Sequence, residues 1–161
     1  MDKPGESIVA VYFTIPDIAF IAGYLRYSRN TEEQRREWWT EVFEETWECV
    51  THVTQNIVFY GDVNTKNLHR EQDFSPKARR LPRTDQGLDQ TQLLFRSIML
   101  ESIKATKAIV ISGQGAPRPD YFQTTMHQRG GASQISYILA SGNILDSGIW
   151  EHTCLHPTTP H

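Results

Sequence analysis

Residues 56–67 read NIVFYGDVNTKN, and the change from an apolar run to Gly61-Asp62-Val63-Asn64 decides how the chain is read. Ile57, Val58, Phe59 and Tyr60 suit a strand covered on both faces, as at the centre of a sheet. The polar pair Asp62 and Asn64 then falls at the mouth of that strand. Residues i and i+2 of an extended chain project to one side, so both side chains are expected to present oxygens to a single ligand.

Working outward, SIVAVYFT (residues 7–14) and IAFIAGY (18–24) are β-rich runs joined through Ile15-Pro16-Asp17, the pattern of a hairpin or tight connection. TEEQRREWWTEVFEETWECV (31–50) has helical periodicity that puts Trp39, Val42, Phe43, Thr46 and Val50 on one side. Thr31 with Gln34 forms a capping box, and the early glutamates suit a helix N-terminus. Trp38, Trp39 and Trp47 are read as fillers of the inner face rather than platforms for bases. Downstream, Leu88, Leu94, Phe95, Ile98 and Met99 predict a helix over 87–103, and 108–111 is a short β run. Two further strands, 121–126 and 134–139, flank His127-Gln128-Arg129-Gly130-Gly131, a turn rather than an RNA-binding tract. Strands and helices alternate without a strict βαβ rhythm. The expectation is one α+β domain over 1–161, a layered β-sandwich flanked by helices.

Composition narrows the class of protein. The chain has 161 residues, 39% of them hydrophobic, which suffices for one core. A net charge of -3 gives no general attraction to nucleic acid or anionic membrane. Cys49 and Cys154 match no metal or redox spacing, and no apolar run has the length of a membrane span. The N-terminus lacks the form of a signal peptide, so a soluble intracellular protein with no membrane partner is expected. His152, Cys154, His156 and His161 cluster near the C-terminus, but their spacing matches no common zinc site. Charge is also segregated. Glu32, Glu33, Glu37, Glu41, Glu44, Glu45 and Glu48 form the wet face of the first helix. Residues 66–83 instead carry Lys66, Arg70, Lys77, Arg79, Arg80 and Arg83, directly after the Asp62/Asn64 pair, where a bound polyanion would meet them. A solvated charged loop is the competing reading.

Taken in order, these segments resemble the endonuclease/exonuclease/phosphatase family. The resemblance rests on a hairpin ending in Tyr24, a tryptophan-bearing helix, NIVFYGDVNTKN, a second helix after a loop, and GGASQISYILAS. It is greatest to the AP-endonuclease-like domain of LINE-type retrotransposons. The resemblance implies two packed β-sheets with outer helices and Mg²⁺-dependent hydrolysis of phosphodiesters in DNA. Asp62 would orient or deprotonate the attacking water and bind the metal, while Asn64 would hydrogen-bond the phosphate or nucleophile. Tyr24 would touch the phosphate, although taken alone it also reads as an amphipathic rim residue. His156 would polarise the site, and Arg79, Arg80 and Arg83 would bind substrate.

The departures from the family pattern bear on mechanism. Where the family has Ser-x-Ile-Asp-Tyr, this chain has Ser136 in place of the aspartate; where the family closes on Ser-Asp-His, Cys154-Leu155-His156 puts leucine in place of the acid. The family's earlier asparagine and metal-binding glutamate strands have no counterpart here, so the sandwich is expected to be incomplete at its N-terminus. A lone carboxylate holds Mg²⁺ poorly, because that ion keeps its waters and demands near-octahedral order. The expectation is therefore a degenerate phosphodiesterase-fold domain, inactive as an isolated chain. The alternatives are an active endonuclease completed by another chain, or a non-catalytic interaction domain. A partner chain or second copy would cover the sheet that an incomplete sandwich exposes.

Overall fold

The computed structural model describes residues 7–65, 88–111, 125–126, 132–133 and 136–146. Strands β1 (Ile8–Phe13) and β2 (Ile18–Tyr24) form the expected antiparallel hairpin, with Ile8 opposite Gly23 and Phe13 opposite Ile18. The Tyr12 hydroxyl donates to Asp17 Oδ1 at 2.8 Å and ties the turn to its strand. One continuous helical segment follows, made of α1 (Glu32–Glu37), a π-helical stretch (Trp38–Glu44) and α2 (Glu45–Thr51). Thr31 caps it as expected, accepting from the Gln34 amide while the Gln34 side chain accepts from the Thr31 N–H.

This helical crossover returns the chain to β3 (Ile57–Asp62), which lies parallel to β2. Helix α3 (Gln90–Thr106) is capped by an Asp89/Gln92 box and leads to β4 (Ile109–Val110). A two-residue ladder pairs β5 (Thr125–Met126) with β6 (Ala132–Ser133), and β7 (Ser136–Ala140) precedes the short α4 (Gly142–Asp146). Five strands form one mixed sheet in the order β1-β2-β3-β7-β4, with β7 antiparallel to both β3 and β4. The molecule is thus of the α+β class. NIVFYGD lies at the sheet's centre, as its unbroken apolar run requires.

The two faces of this sheet differ. On the helix side, Ile21, Ile57, Phe59, Tyr137 and Leu139 pack with Trp38, Trp39, Phe43, Trp47, Ile98 and Met99 into one core. Trp38, Trp39 and Trp47 are all buried, as the sequence reading expects, and the neighbours Trp38 and Trp39 share the inner side because they begin a π-helical stretch with a wider turn. Trp38 and Trp39 then meet edge-to-face at 4.9 Å, and Phe43 meets Phe59 edge-to-face at 5.1 Å. Most of the acidic residues stay on the outer side as expected, but Glu44 turns towards α3, where its Oε1 accepts from the buried Ser102 hydroxyl at 2.6 Å.

On the other side, a small cluster of Val58, Ile111, Ala140 and Ile144 covers one end of the sheet. Phe20, Tyr24 and Tyr60 alternate with inward residues along β2 and β3, while Val9, Val11 and Phe13 lie on the same face of β1, a strand exposed from Val9 to Phe13; all six are exposed. Among the described residues nothing covers this face.

Gly61 has a packing reason. It pairs with Gly23 across β2 and β3, and the Phe59 ring fills the groove the two glycines leave. A Cβ on Gly61 would lie 2.5 Å from Phe59 Cζ and 2.7 Å from the Gly23 carbonyl oxygen. The backbone atom cannot move aside cheaply, so Gly61→Ala is expected to lower unfolding free energy by about 1–3 kcal/mol. Urea denaturation of the two proteins measures this; unchanged stability would mean that the glycine pair does not set the strand spacing.

Candidate functional site

Three of the sequence-predicted residues lie at the mouth of β3. Tyr24 is opposite Asp62 across the parallel pair, and Asp62 is opposite Ser136 across the antiparallel pair, so the three form one row across the sheet. This row ends the uncovered face, where Tyr24 is 47% exposed and Asp62 half-buried. Asp62 is thus beside the SQISYIL segment, and its two row neighbours are neutral.

Asn64 does not join Asp62 in the manner expected. The strand stops at Asp62, and Asn64 adopts φ = 46°, in the left-handed region. The i, i+2 rule for extended chains no longer applies, and the Asn64 amide instead donates to the Leu25 carbonyl at 2.6 Å. The Asp62 carboxylate accepts from the Asn64 backbone N–H at 3.2 Å, an Asx turn that ends the strand. The two polar side chains are linked through backbone and diverge: Asp62 stays in the sheet row, while Asn64 lines a cleft on the helix side.

That cleft has a volume of about 260 Å³ and is bounded by Tyr27, Asn30, Arg35, Asn64, Thr65, Asp89, Thr91, Gln92 and Phe95. Arg35 forms its interior wall, only 2% exposed. Its Nη1 donates to the carbonyls of Val63 at 2.9 Å and Asn64 at 3.2 Å and to the Thr65 hydroxyl at 3.4 Å. Its guanidinium lies 4.3 Å from the centre of the Phe95 ring, a cation–π stack. From the opposite direction the Tyr137 hydroxyl donates to the Thr65 carbonyl at 2.7 Å. The backbone leaving the sheet is therefore held from both sides. Burial pulls the Arg35 pKa down to about 10, still well above neutral, so the buried group stays a cation.

The sequence reading missed Arg35. Arg35 lies three, four and seven positions before Trp38, Trp39 and Val42, on the inward stripe. A cation in register with a run of buried aromatics was the available signal.

Several predicted residues lie outside the described ones: Arg79, Arg80 and Arg83, the rest of the basic segment, and His156 with the C-terminal Cys154 and histidines. The chain leaves the described region at Thr65 and re-enters at Leu88, beside Asp89, so both junctions are at the cleft. Among the described residues no group of three or more His, Cys, Asp or Glu side chains converges as a metal site. No described helix is long and apolar enough to cross a membrane. Cys49 is free and exposed. In comparisons with known proteins, no family model matches this chain and no curated protein matches it significantly.

The geometry around Asn64 separates its two contributions. Asn64→Ala and Asn64→Gly both strip the hydrogen bond from the Leu25 carbonyl, costing about 1–2 kcal/mol. Alanine adds the penalty of a left-handed φ, about 1 kcal/mol, which glycine escapes. Chemical denaturation is expected to rank wild type above Gly and Gly above Ala. An alanine variant as stable as the glycine variant would contradict the backbone conformation.

Proposed function

We propose that the chain is a degenerate endonuclease/exonuclease/phosphatase-like domain of the LINE-retrotransposon endonuclease type. In this reading it descends from a Mg²⁺-dependent phosphodiesterase acting on DNA and keeps phosphate-directed chemistry at the β3 mouth without efficient turnover. The observation that carries the reading is the row Tyr24, Asp62, Ser136 at the end of a central strand, because that is the order the family resemblance requires of its tyrosine, its Gly-Asp-x-Asn segment and its Ser-x-Ile-Asp-Tyr segment. The parallel β2–helix–β3 crossover between the first two supports it as well.

Hydrolysis of a phosphodiester needs an oriented water and compensation for charge that builds on the phosphate. Asp62 has the reach and exposure to hold a water at the sheet edge. Asn64 is less suited to contact the same phosphate, since its side chain diverges from Asp62 and gives one of its two amide N–H groups to the Leu25 carbonyl. A hard dication would require several oxygen ligands. Asp62 stands in its row between a phenol and a hydroxyl, so the described donor set does not fit tight Mg²⁺ binding, and no catalytic step is routed through the ion. This lack of negative ligands is the physical reason for placing the domain on the inactive side of its ancestry.

The uncovered face of Val9, Val11, Phe13, Phe20, Tyr24 and Tyr60 is where a sandwich of this family would carry its second sheet. An apolar face of that extent supports the reading that a further layer, from a partner chain or a second copy, covers it in the working protein. The basic composition of residues 66–83 supports residual contact with nucleic acid through Arg79, Arg80 and Arg83.

Two assays test the proposal. Plasmid nicking with Mg²⁺ or Mn²⁺ is expected to show little turnover; robust cleavage abolished by Asp62→Ala would establish an active nuclease instead. DNA binding is expected to weaken with salt, and neutralising Arg79, Arg80 and Arg83 together is expected to reduce the salt slope by up to about 3. Absence of any salt-dependent DNA binding would leave a fold used only as an interaction domain.

A further inference from the structure

We infer that the cleft lined by Arg35 is an anion subsite that takes a phosphate group. It is distinct from the Asp62 row, and the inference does not depend on the ancestry proposed above.

The argument begins with an incompletely satisfied cation. A guanidinium has three nitrogens and five N–H donors. In Arg35 all three hydrogen bonds leave from Nη1. Nε is buried and has no partner, and Nη2 makes no hydrogen bond to any described residue. Among the described residues no carboxylate pairs with Arg35, and Tyr27 is the neighbour whose charge acts on its titration. Asp89, the acid that lines the same cleft, is turned to the helix end, where its Oδ1 accepts from the Gln92 N–H at 2.8 Å.

A buried positive charge without a counter-charge is costly, and an acceptor-rich anion in the cleft would offset that cost. The surrounding wall suits such a ligand. Asn30, Asn64, Thr91 and Gln92 supply neutral polar groups, while the Thr65 hydroxyl is committed to the Val63 carbonyl; Thr91 and Gln92 belong to the first turn of the seventeen-residue α3, whose dipole favours anions and is partly offset by Asp89 at its N-cap. The volume of about 260 Å³ holds a phosphate with several waters, each of about 30 Å³. Arg forms planar, paired hydrogen bonds to phosphate oxygens, and its stack on Phe95 keeps the plane in place. A wider, shallow groove of about 650 Å³ runs along α1, but Glu32, Glu33, Glu37 and Glu41 line it and would repel an anion.

Free phosphate and the phosphodiester of a nucleic-acid strand share this chemistry. The test follows the Arg35 Nε–H signal by ¹H–¹⁵N NMR while inorganic phosphate is added at constant ionic strength, with chloride as the control anion. A saturable shift with phosphate but not chloride is expected. Two variants add the same charge to exposed positions of α3: Thr91→Glu at the cleft and Ser97→Glu away from it. An acid in a helix's first turn is favourable, so Thr91→Glu is expected to fold as well as wild type. It should weaken phosphate binding at least about tenfold, while Ser97→Glu leaves it within about twofold. Competition by a short oligonucleotide without terminal phosphates assigns the source to a nucleic-acid backbone; its failure to compete assigns it to free phosphate. No saturable shift below about 0.15 M phosphate, an equal response to chloride, or equal binding by the two variants overturns the subsite.

Discussion

The structure depends on the clamp that Arg35 places on residues 63–65. A central strand that ends in an open loop has backbone carbonyls that must find donors or remain unpaired inside the protein. Arg35 donates to two of these carbonyls and to the Thr65 hydroxyl, and Tyr137 donates to a third carbonyl from the adjacent strand. The chain direction after β3 is thereby set by a helix on one side and a strand on the other. This clamp turns Asn64 into the cleft and leaves Asp62 in the sheet row. It also joins the crossover helix to the sheet at the end where the functional side chains gather, while Arg36 bridges Glu101 at 2.9 Å and joins α1 to α3 outside.

A buried cation is an expensive fastener. Aromatic packing lowers its cost through Phe95, and the carbonyls satisfy one of its nitrogens, yet the remaining donors lack partners. A purely structural role would be served by a group that leaves no surplus. If the cleft takes a phosphate, that surplus is what connects this end of the molecule to ligand chemistry. Such polar groups are retained at some cost to stability where a site must stay ready to bind.

The sheet's two sides behave as different materials. One is a dense aromatic core in which Trp38, Trp39, Phe43 and Phe59 interlock, and the glycine pair Gly23 and Gly61 exists to admit the Phe59 ring. The other carries a row of exposed valines, phenylalanines and tyrosines with the Asp62 carboxylate at its edge. An acid beside a bare apolar face is a site whose dielectric surroundings depend on what covers it. A partner or second copy over that face, as proposed above, would change the solvation of Asp62.

The sequence by itself determined the hairpin, both capped helices, the central position of 56–62 and the α+β class. These follow from local causes: apolar periodicity, β-branched runs, and Thr31/Gln34 and Asp89/Gln92 pairs that satisfy helix-end amides three residues apart. Only the tertiary structure decided the partners of each side chain. The left-handed turn at Asn64 and the carbonyls and ring that Arg35 meets arise from long-range contacts, which have no short sequence period. Asp62 could be picked out from its place at the end of an apolar run. The cleft could not, because its walls come from segments some thirty to sixty residues apart, brought together only when the sheet and helices pack.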